Sequence, residues 1–273
     1  VRERRRRRLA ALLAAALWAV AGGALAQADA GTDYEPIRQD PIGTRLINMP
    51  TPNPVGVRTV EILFTHRFFE PLDEGDSHTL WGIDSGADVS FGLAYGFTRN
   101  FDLAAFRSSV DEDYELAAKY RLLAQARRVP VSLALRAGAN FLLRDQIEDS
   151  TRPFAQLLIS RQLRPGVNLL LAPSWVRDTP RLRDAFNVPV GLTLGPGGAW
   201  LVELEYVPEN RDLEESVAAW HVAFSKAIGG HVFEITFGNS RATTVDQYLG
   251  GDSSAAFAED DVRLGFNLVR LLK

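Results

Sequence analysis

Few residues in this 273-residue chain could do chemistry. There is no cysteine, which excludes disulfides and thiolate metal sites. The four histidines are His66, His78, His221 and His231. None begins a His-x-Ser pair, the arrangement expected of a phospholipase barrel with a nucleophilic serine. The spacings of zinc proteases, phosphate loops and EF-hands are also missing. The closest approach to a constellation is His221 with Glu203. Counting back from the polar segment 208–216 places them roughly opposite each other on neighbouring strands. A carboxylate beside an imidazole can sense protons or hold a metal. It can equally be a charge contact that keeps a wall in shape. The acidic clusters Asp111-Glu112-Asp113 and Asp73-Glu74-Gly75-Asp76 could take divalent cations or simply be solvated. No catalytic residue, metal site or cofactor is expected, and the chain does not read as an enzyme.

The elements that position these groups follow a two-residue period. Across 87–98, Ala87, Val89, Phe91, Leu93, Tyr95 and Phe97 alternate with Asp88, Ser90, Gly92, Ala94, Gly96 and Thr98. One row is large, apolar and aromatic at its end, and the other is small and polar. A soluble sheet buries its large row and charges the other. A barrel in a bilayer turns the large row to lipid and the small polar row to the lumen. The pattern recurs at 59–69, 113–123, 131–144, 153–163, 167–176, 185–194, 200–207, 217–227, 231–239 and 261–271. It is least clear at 101–109, where Leu103 and Ala105 compete with Ala104 and Phe106 for the outer row. Pro189 falls on the inner row of 185–194 and predicts a bulge there.

The expected fold is all-β: an antiparallel, up-and-down transmembrane β-barrel of about twelve strands. Short turns at 98–100, 164–166, 195–198 and 229–230 contain Gly, Pro or Asn. They alternate with longer polar segments at 70–85, 145–152, 177–184, 208–216 and 240–260, as periplasmic turns alternate with external loops. Tyr95, Phe97, Tyr120, Phe141, Trp175, Trp200, Tyr206 and Trp220 suit interfacial girdles. The inward rows then carry Asp88, Glu115, Lys119, Arg121, Arg136, Asn140, Glu203, Glu205, His221 and Arg263, the candidate lumen-lining residues.

Residues 1–26 read as a cleaved signal peptide: six arginines, an apolar run and Ala24-Leu25-Ala26. The remaining 247 residues hold 24 basic and 33 acidic side chains, a balance that argues against nucleic acid. Five prolines in 27–56 forbid a central strand or helix. That segment is expected to be an extended periplasmic lead-in or a plug in the barrel mouth, with 57–273 forming the barrel. A signal peptide with a membrane barrel implies the outer membrane of a Gram-negative cell.

Several stretches together carry a resemblance. They are Trp81-Gly82-Ile83-Asp84-Ser85-Gly86-Ala87-Asp88, Lys119-Tyr120-Arg121-Leu122-Leu123, Gly229-Gly230-His231-Val232-Phe233-Glu234-Ile235-Thr236-Phe237 and Arg263-Leu264-Gly265-Phe266-Asn267-Leu268. With them, from about Thr44 to the C-terminus, the chain resembles the bacterial outer-membrane proteins grouped as the membrane-bound β-barrel domain DUF5777. The resemblance implies location and fold and supplies no catalytic residue. Arg263, Gly265, Phe266 and Leu268 also look like the assembly signal read by the outer-membrane insertion machinery, although the chain ends Leu271-Leu272-Lys273 rather than in an aromatic residue. The expected surroundings are outer-membrane lipid and lipopolysaccharide, with no solute or periplasmic partner specified. A small porin-like pore for polar solutes is one expectation. A non-conducting barrel acting through its loops or its N-terminal segment is the other.

Overall fold

The computed structural model describes residues 44–143, 151–179, 183–197, 200–210, 216–250 and 261–273. The expected signal peptide, the first part of the proline-rich segment and the tips of several expected loops lie outside the described residues. Fourteen strand segments form one antiparallel sheet: β1 (Val60–Phe68), β2 (Ala87–Gly96), β3 (Phe101–Ser108), β4 (Asp113–Leu123), β5 (Ser132–Leu142), β6 (Thr151–Arg164), β7 (Val167–Leu171), β8 (Ser174–Val176), β9 (Ala185–Asn187), β10 (Val190–Gly197), β11 (Trp200–Val207), β12 (Ala219–Ile228), β13 (His231–Gly238) and β14 (Arg263–Leu272). β1 pairs with both β2 and β14, and β5 pairs with β6, so the sheet closes on itself. Closure removes the unpaired edges that hydrocarbon cannot satisfy.

β7 and β8 both pair with β6, while β10 pairs with β7 and β9 with β8. They are two spans, each broken once, so the barrel has twelve. The breaks fall at Pro173 and Pro189, which have no N–H for the ladder. Their carbonyls still accept, from Leu157 N–H at 2.9 Å and from Ala172 N–H at 3.0 Å. The break at Pro189 was expected from the sequence, and the one at Pro173 was not.

The wall is inverted relative to a soluble sheet. Phe91, Trp200 and Ile235 on the outer row are 47, 51 and 55 % exposed, whereas Thr65, Asn140 and Glu203 on the inner row are 2, 0 and 1 % exposed. In β3 the rows resolve as Leu103, Ala105 and Arg107 outward with Phe106 inward. Gly92 makes the room: a Cβ there would lie 2.6 Å from the Phe106 ring. The inner row is not polar throughout. Phe154, Leu158, Leu170 and Val176 also face inward and are buried. Where 153–176 is apolar on both rows, the strand has an apolar neighbour on both faces.

The start of β1, the end of β14 and the turns between β2 and β3, β6 and β7, and β12 and β13 share one end of the barrel, here the turn rim; the longer connections share the other, the loop rim. The chain enters β1 at the turn rim across Gly96. Arg58 N–H donates to Gly96 O at 2.8 Å, and Gly96 N–H donates to Thr59 O at 3.0 Å. A Cβ on Gly96 would stand 1.8 Å from Gly56 O. Gly96→Ala is therefore expected to push 56–59 off the wall. It should lower the temperature at which the folded form loses its fast mobility on a gel. An unchanged temperature would show that the crossing carries no packing load.

Candidate functional site: the lumen and its two fillers

Two segments occupy the space inside the wall. The first, 44–51, is a short hairpin. Leu46 N–H donates to Met49 O at 2.8 Å and Thr51 N–H to Thr44 O at 2.7 Å, around a tip at Ile47 and Asn48. One side of it is apolar: Leu46 and Met49 pack with Ala134, Leu158, Leu170 and Ala172 of the wall. The other side is polar. Thr44 is bonded through its hydroxyl and its N–H to the Glu61 carboxylate. Glu205 Oε1 accepts three consecutive backbone N–H groups, from Ile47, Asn48 and Met49, at 2.9, 2.8 and 2.7 Å. Arg67 donates to Asn48 Oδ1 at 3.1 Å, and Asn267 donates to Ile47 O at 3.1 Å. The proline-rich stretch 27–56 left both a lead-in and a plug open, yet Leu46, Ile47 and Met49 are three large apolar residues within 44–51.

The second filler descends from the loop rim. Residues 240–244 lead into a short helix, α1 (Val245–Gly250), every residue of which is buried. Ala242, Val245, Tyr248 and Leu249 cluster with Phe154, Val176, Ala185 and Val207 of the wall. Arg152 pairs with Asp246 at 2.8 Å, Arg241 with Asp88 at 2.6 Å, and Gln156 donates to the Tyr248 hydroxyl at 3.1 Å. Burial pushes the Tyr248 phenol above its usual ionisation range. The polar segment 240–260, expected as an external loop, instead runs into the lumen over 240–250. Its helical signal was Val245, Tyr248 and Leu249 at i, i+3 and i+4.

The two fillers and the wall meet at Glu115. Its carboxylate accepts from Arg45 of the hairpin at 2.9 Å, from Val245 N–H of the descending segment at 2.9 Å, and from Arg136 on β5. Arg45 also reaches Thr243 O at 3.4 Å and lies over the Phe106 ring. Lys119 pairs with Asp102 at 3.5 Å and donates to Asn53 O at 2.6 Å, where the chain leaves the hairpin.

Of the expected lumen residues, Asp88, Glu115, Lys119, Arg136, Asn140, Glu203, Glu205 and His221 all face inward and are buried. Arg121 lies at the turn rim, bonded to Asn100 Oδ1 and Arg99 O. Arg263 lies at the loop rim, bonded to Phe69 O and Asp261. One register expectation fails. His221 stands opposite Glu205, and Glu203 stands opposite Ala223, two residues from the expected pairing. Length counting across an irregular loop could not set that register. Nor do the facing groups form a simple imidazole–carboxylate pair. Nε2 of His221 is 3.0 Å from Ser240 O and its Nδ1 is 3.4 Å from Asn48 Nδ2, while Glu205 is engaged by the hairpin backbone. Among the described residues no group of three or more His, Asp or Glu could hold a metal ion. Asp113, expected in an acidic loop tip, is instead buried on the inner row and accepts from Asn140 at 3.0 Å. In β14, Gly265 faces the lumen with no space for a Cβ, and Phe266 faces outward.

Arg152 and Asp246 are 3 and 0 % exposed, so removing one leaves the other charge stranded. Arg152→Met is expected to cost about 3–5 kcal/mol of stability. The urea midpoint of the folded band reads it, and a wild-type midpoint would contradict the pairing.

The architecture is shared with a solved porin. The NanC porin structure aligns over 78 % of this chain and 100 % of its own, with a TM-score of 0.52 and 7 % identity. Outer membrane phospholipase A from Escherichia coli aligns over 77 % of this chain and 92 % of its own, with a TM-score of 0.44 and 12 % identity. A Rh. blastica porin aligns over 68 % of this chain and 55 % of its own, with a TM-score of 0.35 and 12 % identity. No curated protein matches the chain in sequence. The sequence profile of the membrane-bound β-barrel domain DUF5777 spans residues 42–272, and the chain belongs to that family.

Proposed function

We propose that this protein is an outer-membrane barrel that passes small polar solutes and is held closed at rest by the 44–51 hairpin. The turn rim faces the periplasm, so the hairpin enters from the periplasmic side. The observation that carries the reading is how the hairpin is attached. It is hydrogen-bonded to wall side chains at Glu61, Glu205, Arg67, Asn267 and Glu115 and to no strand ladder. It can withdraw towards the periplasm without breaking the barrel. The wall it would uncover carries Glu61, Arg67, Glu115 and Glu205 beside an apolar patch at Ala134, Leu158, Leu170 and Ala172, and its charged part suits polar solutes. The outer leaflet would contact lipopolysaccharide, and β14 would serve the insertion machinery through Arg263, Gly265, Phe266 and Leu268. The acidic chain is no partner for nucleic acid, and no enzymatic role is proposed.

A second reading, a non-conducting barrel that docks partners through its loops, is favoured by the near-complete burial of the inner row. Liposome swelling separates the two. Liposomes holding the chain begun at Arg58 should swell in small-sugar solution, and those holding the chain begun at Gln27 should swell far less. Absence of swelling in both, with folded protein in the membrane, would overturn the transport reading and leave the docking one.

A further inference from the structure

We propose that the outer face of β2–β5 holds an acyl-chain lipid bearing an anionic phosphate, the phosphate on Arg107 and an acyl chain in the apolar hollow beneath it. Strand register sets out the site in rows. Nearest the loop rim, Phe91 faces Arg107, Arg107 faces Tyr114, and Tyr114 faces Phe141. One row further down, Leu93, Ala105, Leu116 and Ala139 are partners in turn, and below them Tyr95, Leu103, Ala118 and Ala137. Alanines between leucines and a tyrosine leave a hollow of about 640 Å³ on the outer face. That size is in the range of ligand sites, roughly 300–1,000 Å³.

The row above fixes the depth. Aromatic residues at a barrel end sit at headgroup level. Arg107 stands in that row between Phe91 and Tyr114, so its charge lies where lipid phosphates lie. It is exposed and points away from the lumen. Its Nε–H donates to the Tyr114 hydroxyl at 3.2 Å, and its guanidinium carbon is 5.6 Å from that ring centre. Among the described residues no carboxylate pairs with it, which leaves its two terminal amino groups for an acceptor. The planar guanidinium matches phosphate oxygens in pairs. A lipid fits better than a soluble partner because the hollow opens on the face that meets the bilayer. The inference stands whether or not the lumen conducts.

The test is native mass spectrometry of the folded full chain, with phosphatidylglycerol and chain-matched diacylglycerol as probes. The wild type should retain one phosphatidylglycerol about tenfold more strongly than diacylglycerol, the scale of one good charge-assisted contact. Arg107→Gln should remove that preference, and Ala118→Leu, which fills the hollow with an apolar side chain, should weaken retention of both lipids. Lys226→Gln should change neither; Lys226 lies 4.5 Å over the Trp200 ring at the turn rim. Equal retention of the two lipids by the wild type would overturn the site. So would wild-type retention by either Arg107→Gln or Ala118→Leu.

Discussion

Glu115→Ala is expected to be the most damaging single change in the lumen, at about 3–5 kcal/mol. The carboxylate is 1 % exposed and is bonded at once to the hairpin, the descending segment and the wall. Its loss strands two guanidinium groups and one backbone N–H. Arg136 keeps a bond to Gln156 Oε1 at 2.7 Å, and Arg45 keeps weaker contacts to Asn48 O at 3.2 Å and Thr243 O at 3.4 Å. None of these three contacts supplies negative charge. Glu115→Gln keeps one acceptor oxygen and should fall between the two. The urea midpoint measures the loss, and amide exchange should quicken in both 44–51 and 242–249. A change confined to one segment would show that the two are not joined through this residue.

Glu205→Ala should act more locally and almost as strongly. Three N–H groups converge on one oxygen, and hydrogen bonds to a charged acceptor contribute about 1.5–3 kcal/mol each when unshared. Shared on one oxygen they fall short of a simple sum, so about 3 kcal/mol for the hairpin is expected. That is roughly a hundredfold faster opening of the Ile47, Asn48 and Met49 amides in hydrogen exchange. The barrel itself should keep most of its stability, because no ladder bond involves 44–51. Unaltered protection of these three amides would remove Glu205 as the latch. Global unfolding would show instead that the hairpin is part of the barrel's core.

The wall was legible because its code is local. Alternation at 87–98 or 200–207 states which side chains meet lipid, and a closed barrel follows from having enough such strands. Pro189 announced its break for the same reason. A plug from 27–56 was one of two readings, but which residues fill the lumen, and through which wall groups, was not legible, because those contacts are long-range. Glu115 reaches Arg45, 70 residues away, and Val245, 130 residues away. Nothing in the spacing around Glu115 marks it as a junction. Some signals were present but weak, such as the apolar residues Leu46, Ile47 and Met49 among prolines and the doubly apolar rows of 153–176. Of the expected lumen residues, the strand pattern placed Lys119 and Arg136 on the inner row. It could not say that they face protein and not water.

The most direct measurement is single-channel recording in planar bilayers, comparing the chain begun at Gln27, the same chain with Glu205→Ala, and the chain begun at Arg58. A closed record is expected for the first, brief openings for the second and steady conductance for the third. Steady and equal conductance in all three would contradict a hairpin that closes the lumen.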